Sequence, residues 1–270
     1  MPNWGGNVPI AFYPSNVDGL IAWYDVGSAV NDIYGNLVSW NDKTRYSNTL
    51  LPTGLINGYD FSGNYCYNTN IPELKYPNTG ATIFTVWQPG QPSFTDSNQI
   101  QELVSIFTDS LTNPGNGNAN FSVGLGTTSL SNFQLYASYL SDMTNVIIPN
   151  YYDLSNVNIE DYLGINIINA ICFNTPINGS YSTAYLNGIC VGSNTLNPII
   201  LTNDPNYFNI FIGDSNYVDN DGITHSGSSY IFETLIYNRV LSPSDISQIN
   251  QYLQAKNGTA ALANGGNFSY

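Results

Sequence analysis

Glycoside hydrolysis needs two carboxyl groups about 5–9.5 Å apart, one an acid and the other a nucleophile or base. The glutamates are Glu73, Glu102, Glu160 and Glu233, all widely separated, and Glu160 and Asp161 are adjacent, so their side chains would point to opposite faces of a strand. No catalytic pair is legible. His225, in DNDGITHSGSS, is the single imidazole, and the serines beside it lack the nucleophile-elbow pattern of a hydrolytic triad. No P-loop, G-x-G-x-x-G or H-E-x-x-H motif occurs either. The expectation is a chain that is not an enzyme.

Binding chemistry is better represented. Asp214, Asn216, Asp219, Asn220 and Asp221 crowd the loop DSNYVDNDG, and Ca²⁺ takes six to eight oxygens of that kind. The spacing is not that of an EF-hand, because Tyr217 and Ser228 would fall at its first and twelfth positions. Calcium is therefore the one candidate cofactor, against ordinary Asx turns in solvated loops. Sugars stack on aromatic rings while amides and carboxylates bond their hydroxyls. Tyr59, Tyr65, Tyr67, Tyr151, Tyr152 and Tyr217 are candidates in loop-like positions, with Trp87 at a strand end. Tyr-rich surfaces serve protein contacts equally well.

Composition limits the partners. Five Lys+Arg against 19 Asp+Glu give a net charge of −14, which leaves little with which to neutralise phosphates and argues against nucleic acid and anionic membrane. Only 9% of the 270 residues are charged while 42% are hydrophobic and 14% aromatic, so the chain folds and its surface is solubilised by amides and hydroxyls. No run of 18 apolar residues exists, and the start, MPNWGGNVPIAFYPSN, has neither a basic nor a long apolar segment, so it does not read as a secretory signal. Cys66, Cys172 and Cys190 lack metal or redox spacing and read as buried free thiols. Sequons at Asn120, Asn178, Asn257 and Asn267 are what an Asn-rich chain yields by chance.

The elements that position these groups are mostly strands. Alternation and β-branched content place them at 20–25, 37–40, 81–87, 103–107, 121–125, 133–139, 165–173, 181–186, 189–191, 208–212 and 230–237. Residues 81–87 (ATIFTVW) carry bulk on both faces, as a central strand does. Asn187-Gly188 between two of the strands predicts a type I′ hairpin. One helix is expected late in the chain, with Ser242 as N-cap, Pro243 in the first turn, Asp245 closing a capping box, and Ile246, Ile249 and Leu253 on one face. Lys256 and Gly258 mark its exit. Trp23 and Trp40, each two residues before an aspartate, are expected to fill the space between two sheets while Asp25 and Asp42 stay at the rim. Arg239 is placed to bond carbonyls or pair with Asp245 and hold the helix against the sheet.

Three segments result. Residues 1–17 read as an extended arm whose Trp4, Phe12 and Tyr13 need somewhere to dock, 18–258 as the sandwich domain, and 259–270 as a flexible tail ending in Phe268 and Tyr270.

Several of these stretches resemble a known family. GLIAWYDVGS (19–28), GNLVSWNDKTR (35–45), ATIFTVWQP (81–89), STAYLNGICVG (182–192), IFIGDSN (210–216) and SGSSYIFETLIYNRVLSPSDISQINQYLQAKNG (226–258) resemble ordered segments of laminin-G-like, concanavalin A-like jelly-roll domains. The resemblance implies an all-β, antiparallel two-sheet jelly-roll β-sandwich with one short C-terminal helix. It also makes Asp25 and Asp42 a second cation candidate, similar to rim sites of the family. Retaining enzymes of this fold commonly carry E-x-D-x-x-E, which is missing here.

The expected role is thus a non-enzymatic surface structural or adhesive protein. The reading favours a virion component, such as a capsid decoration, fibre or spike, because a surface protein with no secretion signal and heavy Asn, Ile and Tyr use suits an AT-rich viral genome. It would be assembled in the host cytoplasm and dock on other virion subunits through its terminal arms, with cell-surface glycans and further copies of itself, as a homo-oligomer, as other partners. The alternatives are a carbohydrate-active enzyme or its glycan-binding accessory module, and a bacterial surface adhesin outside the cell.

Overall fold

The computed structural model describes residues 12–61, 64–71, 73, 80–89, 99–107, 119–129, 132–141, 146–153, 165–174, 181–195, 208–213, 217–218, 224–225 and 229–258. The strands are β1 (Leu20–Asp25), β2 (Ala29–Asn31), β3 (Leu37–Trp40), β4 (Leu51–Pro52), β5 (Tyr65–Ile71), β6 (Ala81–Pro89), β7 (Gln99–Phe107), β8 (Ala119–Ser129) and β9 (Asn132–Ser141). They continue with β10 (Val146–Asp153), β11 (Ile167–Asn174), β12 (Tyr181–Leu186), β13 (Ile189–Thr195), β14 (Phe208–Gly213), β15 (Tyr217–Val218), β16 (Thr224–His225) and β17 (Ser229–Tyr237), followed by α1 (Pro243–Asn257). A six-stranded sheet runs β1-β17-β6-β11-β12-β13, and a nine-stranded sheet runs β10-β9-β8-β7-β14-β5-β4 with β15 and β16 beside it. The pairings are antiparallel except for β16 with β7. This is the all-β two-sheet sandwich with one C-terminal helix that the sequence leads one to expect. Among the described residues no helix is long and apolar enough to cross a membrane.

Side-chain alternation builds two apolar cores on the six-stranded sheet. Tyr24, Trp40, Ile83, Trp87, Ile171 and Ile236 belong to the core between the sheets, whereas Trp23, Phe84, Val86, Leu235 and Tyr237 meet Ile246, Ile249 and Leu253 of α1 on the other side. Residues 81–87 are consequently buried along their whole length, with β17 and β11 as neighbours, as a two-faced central strand must be. Trp23 corrects the sequence expectation: unlike Trp40, it lies under the helix rather than between the sheets.

The local signals act as read. Asn187 (φ 48°) and Gly188 (φ 83°) both take the left-handed conformation that a type I′ turn requires. The Ser242 hydroxyl accepts a hydrogen bond from the Asp245 amide, and the Asp245 carboxylate accepts one back from the Ser242 amide. Ser242→Ala is expected to lower the unfolding free energy by about 1 kcal/mol, read as a shifted urea midpoint at unchanged slope. The Arg239 Nε donates to the Asp18 carbonyl at 2.7 Å and its Nη2 lies 3.5 Å from Asp245, which ties the helix start to the entry of β1.

Four strands carry no strand pattern of their own in the sequence. β4, β15 and β16 are two residues long, and β5 (YCYNTNI) is rich in Asn and Thr. β10 contains Pro149, which is tolerated because β10 ends the sheet path and pairs with β9 alone in the ladder. Residues 12–17 do not stand off as an arm. Phe12 and Tyr13 pack on Tyr252 of α1, with ring centroids 6.4 and 6.1 Å away, Pro14 and Val17 are buried, and the Tyr237 hydroxyl donates to the Pro14 carbonyl. These two aromatics, expected to dock a partner, serve the chain's own helix. Trp4, Phe268 and Tyr270 lie outside the described residues.

Candidate functional site

Asp25 and Glu233 face each other as register partners of β1 and β17, so the fold creates a carboxylate pair that no sequence spacing shows. Like charges directly opposite on one sheet face repel. Lys256, reaching back from the last turn of α1, lies between them with its Nζ 2.5 Å from Asp25 Oδ2 and 2.8 Å from Glu233 Oε1. Lys43 adds a second ammonium 2.6 Å from Asp25 Oδ2, and its Nζ sits 4.0 Å from the centroid of the Trp23 ring. The Trp23 indole donates to Glu233 Oε1 at 2.7 Å, and the Asn257 amide donates to Oε2 at 3.0 Å.

Two buried acids and two lysines thus form a neutral cluster. Burial alone would raise the Asp25 carboxyl, but the hydrogen bonds and charges of Lys256 and Lys43 outweigh it and hold the group below its ordinary value. Burial would likewise lower Lys256, and Asp25 with Glu233 reverse the effect and raise it. The cluster has the polarity of a structural clasp: Glu233 is wholly buried, and both its oxygens are committed to donors within the chain.

The expected rim position of Asp25 and Asp42 is also corrected, since both are buried. Asp42 organises its own turn, accepting from the amides of Trp23, Thr44 and Asn48 and from the Thr44 hydroxyl. Asp25 is occupied by ammonium groups, so the two do not form an open cation site. Among the described residues no three His, Cys, Asp or Glu side chains are grouped to hold a metal ion. Asp214, Asn216, Asp219 and Asp221 lie outside those residues.

The aromatic candidates separate. Trp87 is wholly buried in the core between the sheets and offers no face to a ligand, which corrects its assignment as a sugar platform. Tyr59 is half-buried against Trp40 and Phe232, and its hydroxyl donates to the Val26 carbonyl. Tyr65 and Tyr67 gather around Phe211, with centroids 5.3 and 6.1 Å from it, and form a small cluster apart from both main cores. Tyr151 and Tyr152 lie in β10 opposite Tyr136 and Leu135, and Tyr217 lies in β15 opposite His225. Cys66 and Cys172 are buried free thiols as expected, with burial pushing Cys66 up to about 12 and Cys172 up to about 11, whereas Cys190 is free but only partly buried.

The open feature beside the clasp is a groove of about 360 Å³, walled by the turn before β1 and the loop after β3. Its polar lining comprises Ser15, Asp18, Lys43, Thr44, Arg45 and Asn238, with Trp23 and Tyr46 as aromatic neighbours. Sequence reading missed it because its walls come from 15–23, 43–46 and 238, which only the β1–β17 pairing brings together. Two of the stretches that carry the family resemblance, GLIAWYDVGS (19–28) and GNLVSWNDKTR (35–45), supply much of its lining.

No protein-family model matches the chain, and no curated protein does. Solved structures do match. The binding domain of botulinum neurotoxin DC in complex with rat synaptotagmin II aligns with TM-score 0.56 at 14% identity over 89% of this chain and 53% of that one. The ligand binding domain of botulinum neurotoxin serotype D in complex with N-acetylneuraminic acid gives 0.54 at 16%, over 88% and 52%. A botulinum neurotoxin type C structure, described as showing cell entry dependent upon two ganglioside molecules, gives 0.55 at 14%, over 90% and 53%. The chain spans about half the length of these domains. At such identities the likeness is one of fold, a β-sandwich found in receptor-binding domains.

Proposed function

We propose that this chain is a non-enzymatic β-sandwich module that works at a surface as a structural or adhesive protein and binds glycans in the groove beside the Asp25–Glu233 clasp. The observation that carries the reading is the contrast between the two features. The acid pair is sealed by Lys256, Lys43, Trp23 and Asn257, whereas the groove beside it is open and lined with hydroxyl, amide and cationic groups and the Asp18 carboxylate. Clefts of this kind orient a ligand with a few placed polar groups. The ligands named for the similar solved structures, a sialic acid and gangliosides, lend the reading support by analogy of fold. Its finer form, a virion decoration, fibre or spike, rests on the composition and has extracellular or cell-surface display as its alternative.

The test is a glycan-array screen of the intact chain, run with calcium and with chelator. Saturable binding to a defined glycan set is expected; silence in both conditions would overturn the glycan-binding reading. Binding lost with chelator would assign a calcium site to the loop carrying Asp214, Asn216, Asp219 and Asp221. Hydrolysis of a polysaccharide abolished by Glu233→Gln would overturn the non-enzymatic reading.

A further inference from the structure

The distribution of positive charge narrows the ligand class. The chain has only five cationic side chains against 19 acidic ones. Lys43 and Arg45 line the groove, and Arg239 follows Asn238, another lining residue. Arg239 is spent on the Asp18 carbonyl and Asp245, and Lys256 on Asp25 and Glu233. Arg45 is different. It is exposed, its Nη2 donates to the Tyr46 hydroxyl at 2.9 Å, and it meets no carboxylate among the described residues. The Lys43 ammonium has Asp25 as its one hydrogen-bond acceptor among the described residues, and the residue remains exposed. Ser15 and Asn238 present a hydroxyl and an amide that make no side-chain hydrogen bond among the described residues. Against the one carboxylate in the lining, Asp18, the groove therefore sets two charged donors, the Arg45 guanidinium and the Lys43 ammonium that it shares with Asp25.

We infer that the groove takes a carboxylate-bearing sugar, with the Arg45 guanidinium and the Lys43 ammonium on the carboxylate and Ser15 and Asn238 on ring hydroxyls. This deepens the glycan-binding reading and rests on it. A guanidinium matches a carboxylate with two parallel hydrogen bonds, which an amide or hydroxyl cannot reproduce. The net charge of −14 sets the other limit. A polyanion carries many charges into the repulsive field of the whole protein, whereas a single acidic sugar within a neutral glycan is screened from distant charge over about 10 Å at 0.1 M salt. The groove volume, near the lower end of ligand sites, suits a terminal sugar rather than a long chain segment.

The test is titration calorimetry on the full chain with oligosaccharides ending in N-acetylneuraminic acid or glucuronic acid and with their neutral counterparts, which lack the acidic sugar or carry glucose. The two acids distinguish the sources of the same carboxylate. Wild type is expected to prefer one acidic probe over its neutral counterpart. Arg45→Gln is expected to weaken that binding by about tenfold or more and to remove the preference over the neutral counterpart, with Arg45→Lys in between. Arg45 is exposed, so an unchanged melting temperature confirms that the variant is folded. Equal affinity of wild type and Arg45→Gln for the acidic probe, or binding of neutral glycans only, would overturn this inference and leave the glycan reading standing. No binding to any glycan would remove both.

Discussion

Lys256→Met lowers the unfolding free energy at neutral pH by about 3 kcal/mol, the expected cost of removing one partner from a buried ion pair. The side chain keeps an unbranched apolar stem and loses the ammonium, but Asp25 and Glu233 are left opposite each other with only Lys43 to balance them. Partial exposure of Lys256 keeps the figure at the low end of the range for buried pairs. The double variant Lys256→Met with Glu233→Gln is expected to recover part of the loss, because it removes the repulsion together with its compensation. Urea unfolding of wild type, Lys256→Met, Glu233→Gln and the double variant measures this coupling directly, and independent additive losses would show that the clasp is not one unit.

The same cluster fixes the pH dependence. Asp25 is lowered in the folded state, so its contribution is present above the ordinary carboxyl value, about 4, and is lost as the pH falls through the lower folded value. Lys256 is raised, so its contribution is complete below its ordinary value, about 10, and is lost as the pH rises through the higher folded one. Wild type should therefore keep this stabilisation between those limits.

Gly80→Ala is expected to cost about 3 kcal/mol or more, or to prevent accumulation of folded protein. Gly80 has φ +111°, which L side chains rarely adopt, and a Cβ there would overlap the backbone carbonyl oxygen of Phe173 and come within 2.8 Å of Val240 Cγ2. The carbonyl cannot move freely, because Phe173 is paired to Ala81 and Ser182 on its two sides. Gly58→Ala supplies the control. Gly58 has φ +63° and no heavy atom within 4 Å of a built Cβ, so it isolates the conformational penalty, about 1 kcal/mol. Similar melting temperatures for the two variants would show that the close approach at Gly80 is relieved by a small backbone shift.

Elements whose signals are local are legible in the sequence alone. Ser242, Pro243 and Asp245 specify the start of α1 because capping satisfies amides within one turn, and Asn187-Gly188 specifies its hairpin because few residues accept positive φ twice. The bulk on both faces of residues 81–87 likewise located a central strand before any partner was known. Tertiary structure decided the rest. β5 and β10 are held by pairing rather than by their own patterns, and Trp23 goes beneath α1 because the helix covers the outer face of its sheet. The carboxylate pair and the groove exist only because β1 lies beside β17, joining residues from opposite ends of the chain. Capping and turn chemistry act over a few residues, whereas strand register and charge neutralisation depend on which distant segments meet, and no spacing in the sequence encodes that directly.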